Sequence, residues 1–198
     1  MPKFRREWVA VERTCGTCSL CCKLLPVREL NKAAGERCKH QKFGKGCAIH
    51  RKPGYPIVCA GWNCRWLVND DTADLSRPDR SHYVIDSMPD RIRLDSSDGS
   101  KPKMFDVIQI WVDPAFPDAH RDPALRRYLE RRAERDHMAA LVRFSVTENM
   151  AIFAPCLSTD GQWHEQVSRG DSNLKSISEE LLAAGIAKIS GTFKLNVR

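Results

Sequence analysis

The sequence lacks any apolar run approaching the roughly 18–20 residues of a membrane-spanning helix. Its first ten residues, MPKFRREWVA, carry basic side chains with no apolar stretch of signal-peptide length behind them. A soluble, cytoplasmic protein is therefore expected. GxGxxG, GKS/GKT, HExxH and GxSxG patterns are all missing, so nucleotide cofactors held on such loops and the common hydrolase mechanisms gain no support. There is no internal repeat and no low-complexity tract. What is present is 42% hydrophobic residues in 198, which excludes a wholly disordered chain and gives room for one medium domain or two small ones.

Cysteine is abundant and unevenly placed. The run Cys15-Gly-Thr-Cys18-Ser-Leu-Cys21-Cys22 puts four thiols into eight residues, and Cys38, Cys47, Cys59 and Cys64 follow within the first third of the chain. In a reducing cytosol such density reads as metal ligation rather than as a disulfide framework. A CxxC turn lets two sulfurs converge on one soft cation. Neighbouring side chains tend to diverge and rarely chelate one ion together, so the pair Cys21 and Cys22 points to two sites, or to one site plus a spare thiol. Eight thiols fit two zinc sites of four cysteines each. They also fit an iron–sulfur cluster, because Cys15, Cys18 and Cys21 reproduce a CxxCxxC run, without the following CP, to which a remote cysteine adds the fourth ligand. The residues leave zinc and iron open. His40 and His50 lie near Cys38 and Cys47 and could replace a thiol, or simply be polar loop residues. Trp62 and Trp66 flank Cys64 as shielding or core.

Charge follows the cysteines. Residues 1–70 carry fourteen Lys/Arg against five Asp/Glu, a net +9, while residues 71–198 are net −2. Such a patch can bind nucleic acid. Eight thiolates and two divalent ions would bring the first part to about +5, so part of the excess balances the thiolates, and nucleic-acid binding is the weakest of the readings.

Composition changes near residue 70, and NDDTADLSRPD (69–79) reads as a linker. The expected fold class is α+β: a small irregular cysteine-rich metal-binding module over 1–70, then a domain over 80–198 with an antiparallel sheet and two or more helices. Strands are expected at His82–Ser87, Arg91–Asp95, Met104–Val112, Leu141–Val146 and Ala151–Pro155, the last two as a hairpin. Asp122 and Pro123 predict a helix start, with Leu125, Tyr128, Leu129 and Ala133 on one face. A second helix is expected from Ser176, in a capping box with Glu179, to before Gly185. The arginines of the first helix read as a solvated face laced with ion pairs, and Cys156 as a packed strand residue. His82, His120, His137 and His164 show no ligand spacing.

CGTCSLCC (15–22), Cys38-Lys-His, GCAIH (46–50), PIVC (56–59) and CRWL (64–67) together resemble the bacterial CxxCxxCC family of zinc- or iron-chelating domains. His50 stands where that family carries an aromatic residue or histidine. Tyr55 stands where it carries arginine before Pro56, and the interval from Cys47 to Cys59 is slightly expanded. The resemblance covers about a third of the chain and implies that Cys15, Cys18, Cys21, Cys22, Cys38, Cys47, Cys59 and Cys64 chelate metal. A related motif in the larger flagellin lysine methylases adds a second implication, redox or methyl-transfer chemistry at an iron–sulfur centre.

Overall fold

The strand Lys103–Val112 organises the molecule, because residues 107–112 are buried on both alternating faces, as a central strand requires. The structure is a computed structural model describing residues 13–95, 101, 103–169 and 189–194. In chain order its helices are α1 (Cys21–Leu24), α2 (Ile57–Gly61), α3 (Arg65–Val68), α4 (Pro78–Ser81) and α5 (Pro123–Asp136). The strands are β1 (Gln41–Lys42), β2 (Gly46–Cys47), β3 (Tyr83–Ile85), β4 (Asp90–Asp95), β5 (Lys103–Val112), β6 (Ala139–Arg143), β7 (Glu148–Phe153), β8 (His164–Arg169) and β9 (Ile189–Lys194).

The main sheet runs β8-β7-β6-β5-β4-β9, and the short β3 lies beside the C-terminal end of β5. It is mixed rather than antiparallel throughout, which corrects the expectation from sequence. β5 pairs in parallel with β6, and β4 in parallel with β9. The physical reason is α5: a parallel pair needs a crossover long enough to return the chain to the same end, and residues 113–138 supply it. β6 and β7 form the expected antiparallel hairpin. The α+β class holds, and the helix expected after Ser176 lies outside the described residues.

α5 starts where the sequence places it. The Asp122 carboxylate accepts from the Ala124 N–H at 2.9 Å, Pro123 fills the first turn, and His137 ends the helix in the left-handed conformation. Leu125, Tyr128 and Leu129 pack on one sheet face with Ile108, Ile110 and Val142, and Ala133 on the same helix is also buried. The opposite face carries Val107, Leu141 and Phe153 at one end. At the other end, Val84 and Trp111 receive Leu20, Leu24 and Cys64 from the cysteine-bearing segment. That segment is therefore seated on the sheet. Each aliphatic anchor buried there contributes about 1.5–3 kcal/mol.

Between these two apolar clusters lies a buried polar strip. The Arg143 guanidinium, 3% exposed, pairs with Asp90 at 3.0 Å and donates to Gln109 at 2.6 Å. Burial pushes the Asp90 carboxyl up to about 6, against the opposing pull of Arg143.

Candidate metal centre

The cysteine segment has little regular structure, and three kinds of contact hold it. Leu20 and Leu24 on and beside α1 insert into the sheet face. The Glu29 carboxylate accepts from the Ile57 and Val58 N–H groups at 3.1 Å each, fixing the start of α2. Finally, Cys64 bridges to Asp86 just past β3, where the Asp86 carboxylate accepts from the Trp62 indole at 2.7 Å and from the Met88 N–H at 2.9 Å. The CAGWNC segment is thus pinned to the sheet at both its tryptophan and its last cysteine.

The eight cysteines fall into two neighbourhoods. In the first, the Cys18 N–H bonds the Cys15 carbonyl at 2.8 Å across a turn in which Gly16 takes a φ of +51°, a conformation that glycine adopts without a Cβ penalty. Cys18 and Cys21 pack on the apolar cluster that contains Cys64. Burial, and then the charges of Cys15 and Cys18, push the Cys64 thiol up to about 11, although a backbone hydrogen bond opposes them. Cys18, Cys21 and Cys64 therefore lie together against the sheet, and the exposed Cys15 joins them through the turn to Cys18.

The second neighbourhood gathers around β1 and β2. The Cys38 N–H donates to the Cys22 carbonyl at 3.0 Å, the Gln41 N–H to the Cys38 carbonyl at 2.9 Å, and Gln41 pairs with Cys47 across β1 and β2. Burial, then Cys22, Cys38 and Cys47, push the Cys59 thiol up to about 11. Tyr55 ties Cys59 in by donating to its carbonyl at 2.9 Å. Cys22, Cys38, Cys47 and Cys59 form this group.

The two groups abut at Cys21-Cys22. The neighbouring Cys21 thiol, helped by the Lys32 ammonium and opposed by burial, lowers the Cys22 thiol to about 7, while Cys21 is raised well above the usual thiol value. Cys15 also feels Cys22, after the larger effect of its own burial. Lys32 is 7% exposed and donates to the carbonyls of Lys23, Leu25 and Ala33. It is a fixed positive charge beneath the outer group.

All nine cysteines are free thiols. Among the described residues no three His, Cys, Asp or Glu side chains are already gathered closely enough to hold an ion. The thiols are neighbours, and ligation requires their sulfurs to close together. The donor set itself fits a soft or borderline cation: four sulfurs per group, with the buried Lys32 near the second to offset thiolate charge.

His40 is half-buried and its carbonyl accepts from the Ala48 N–H at 2.8 Å, while His50 is exposed with its ring edge-on to Tyr55 at 5.3 Å. Cys156 stands on the turn Pro155–Leu157 and is exposed, in place of the packed strand position expected, because Pro155 takes the chain out of β7. Sequence reasoning missed Lys32, Asp86 and the buried Arg143–Asp90 pair. None carries a periodic or motif signal; each acquires its role only through a partner distant in the chain. No helix of the described residues is long and apolar enough to cross a membrane. Comparison with protein-family models, curated proteins and solved structures finds no match to the chain.

Proposed function

We propose that the protein binds metal through residues 15–64 in two four-cysteine sites, one on Cys15, Cys18, Cys21 and Cys64 and one on Cys22, Cys38, Cys47 and Cys59. The carrying observation is that Cys18, Cys21 and Cys64 share one apolar cluster on the sheet face, while Cys22, Cys38 and Cys47 are linked through the backbone hydrogen bonds of Cys38 and Gln41 and the pairing of β1 with β2. Zinc or iron suits such sulfur sets. Four thiolates leave no open position for substrate, so the role is structural or metal-handling, and binding energy adds to the folding energy of a segment with a small apolar core. On this reading residues 1–70 act as a metal-binding module of a cytoplasmic CxxCxxCC protein, and the domain over 80–198 is its platform.

One observation favours a second reading for the inner group. Its Cys15-x-x-Cys18-x-x-Cys21 run and remote Cys64 have the ligand order of a cluster-binding ferredoxin site, and Leu20, Leu24, Trp62 and Trp66 pack around it. An iron–sulfur cluster held there would supply redox or group-transfer chemistry.

Elemental analysis and an absorption spectrum on protein purified without oxygen or added metal test both readings. Two zinc per chain and no colour support the structural reading. Iron with acid-labile sulfide supports the second. Cys64→Ser and Cys59→Ser should each lose one metal equivalent and keep the other; metal-free wild type, or joint loss in either variant, defeats the two-site proposal.

A further inference from the structure

We propose that the loop from Arg37 to Lys52 is a docking surface for single-stranded nucleic acid, an inference that does not depend on the metal reading. Residues 37–69 contain seven Lys/Arg and no Asp or Glu. Arg65 reaches Asp71 at 3.7 Å. The other six, Arg37, Lys39, Lys42, Lys45, Arg51 and Lys52, are exposed, and none has a carboxylate within ion-pair distance among the described residues.

Elsewhere the molecule treats its cations differently. Arg131 pairs with Asp74 at 3.0 Å, Arg132 with Asp71 at 2.8 Å, Arg77 with Asp79 at 2.6 Å, and Arg126 with Glu165. Arg126, Arg131 and Arg132 of α5 are thereby paired with carboxylates, and the six cations of the 37–52 loop are not, among the described residues. One divalent ion on the outer four thiolates would leave two negative charges, fewer than the six exposed cations, so the surplus outlasts metal loading.

The cations surround an exposed aromatic ring. Phe43 is 84% exposed at the turn between β1 and β2, with the Arg37 guanidinium 5.9 Å from its centroid. Lys42, Gly44 and Lys45 flank it, and Gly44 turns the chain at a φ of +65° with open space around it. A phenyl ring left in water among unpaired cations has the two elements of a single-strand surface, a stacking platform and an electrostatic track along the backbone. A duplex hides its base faces from such a ring, and a lipid surface would want a broader apolar face.

The test is fluorescence anisotropy of the full-length, metal-analysed protein with a labelled 20-nucleotide single strand, the matching duplex, and anionic phospholipid vesicles as a competitor. Single-strand binding is expected, with log K falling against log salt at a slope of about −2 to −4 for three to six phosphate contacts. Phe43→Ala should weaken it by about five- to a hundredfold with the slope nearly unchanged. Lys42→Glu with Lys45→Glu should weaken it and flatten the slope. Lys52→Glu is the second charge variant should the pair disturb the turn, judged by circular dichroism and metal content. Absence of binding at about 50 mM salt, indifference to both charge variants, or equal binding of duplex or vesicles with Phe43→Ala silent would each overturn the inference.

Discussion

Replacing Asp86 by Ala removes a carboxylate that fastens the CAGWNC segment to the sheet. The side chain accepts from the Trp62 indole at 2.7 Å and the Met88 N–H at 2.9 Å, and the residue itself is 8% exposed. A hydrogen bond to a charged group is worth about 1.5–3 kcal/mol, and a donor stranded in a partly buried site costs about 1–3 kcal/mol. Against this stands the cost of burying the carboxylate, visible in the upward shift of its pKa, for which burial is the main cause. The net expectation is a loss of about 2–3 kcal/mol for Asp86→Ala, and about 1–2 kcal/mol for Trp62→Phe, which keeps an aromatic ring but leaves the carboxylate with one donor fewer. The double variant should fall short of the sum by at least about 0.5 kcal/mol, since both changes break the same bond. Urea unfolding followed by circular dichroism measures all three, and chelator competition on the same samples should show faster loss of the metal assigned to Cys64. Single-variant losses below about 0.5 kcal/mol that add without coupling would refute the anchoring role.

The polar strip on the same sheet face gives two further expectations. Arg143→Met strands the Asp90 carboxylate, whose side chain is fully buried, and should cost about 3–5 kcal/mol in denaturant unfolding, while Arg143→Met with Asp90→Leu recovers much of that; a double variant as unstable as the single would contradict this. Asp90 itself should titrate near 6 by carbonyl carbon NMR. Its native pKa is raised, so between about pH 4 and 6 the folded state holds a proton the unfolded chain has released. Its contribution to stability therefore falls as pH rises through that window and is level above it. A titration near 3 would mean that Arg143 outweighs burial. At the start of α5, Asp122→Ala removes the cap on Ala124 and the acceptor of the Tyr83 hydroxyl, 2.9 Å away. A loss of about 1–2 kcal/mol is expected, and an unchanged melting temperature would count against the cap.

The parts legible in the sequence are those with local causes. Asp122-Pro123 with an apolar stripe fixes α5, and unbroken apolarity fixes β5, because caps and periodicities act within a few residues. Strand direction is a different matter. The helix between β5 and β6 was the available signal for a parallel pair, and strand periodicity alone says nothing about it. β8 escaped notice because it is a sheet-edge strand of polar residues, with Val167 turned 52% to solvent. The eight cysteines were legible by spacing. Their grouping was not, because Cys64 joins Cys18 and Cys21 only through the sheet face formed by Val84 and Trp111, far along the chain.

This grouping gives the two proposed sites unequal support from the rest of the molecule. The inner one rests on Leu20, Leu24 and Trp111, and Cys64 is bridged to Asp86, so the sheet holds Cys18, Cys21 and Cys64 on one apolar cluster. The outer one has only Cys38 buried among its four thiols, beside Phe43 and Ile57, which are 84% and 82% exposed. A segment with so little buried apolar surface opens locally at low free energy unless something else closes it, and on the proposed reading ligation is that closure. Removing metal with a chelator should therefore open the 37–56 loop while the sheet stays folded. Limited trypsin digestion reads this directly, because Lys39, Lys42, Lys45 and Arg51 are exposed and each is followed by a residue other than proline. Cleavage there should rise at least about tenfold on chelation, as expected if ligation supplies 1.4 kcal/mol or more of the local opening energy, with fragments spanning β3 to β7 persisting. Equal cleavage with and without chelator would show that the loop is closed by its own packing, and simultaneous digestion of the sheet would show that the two parts unfold as one unit.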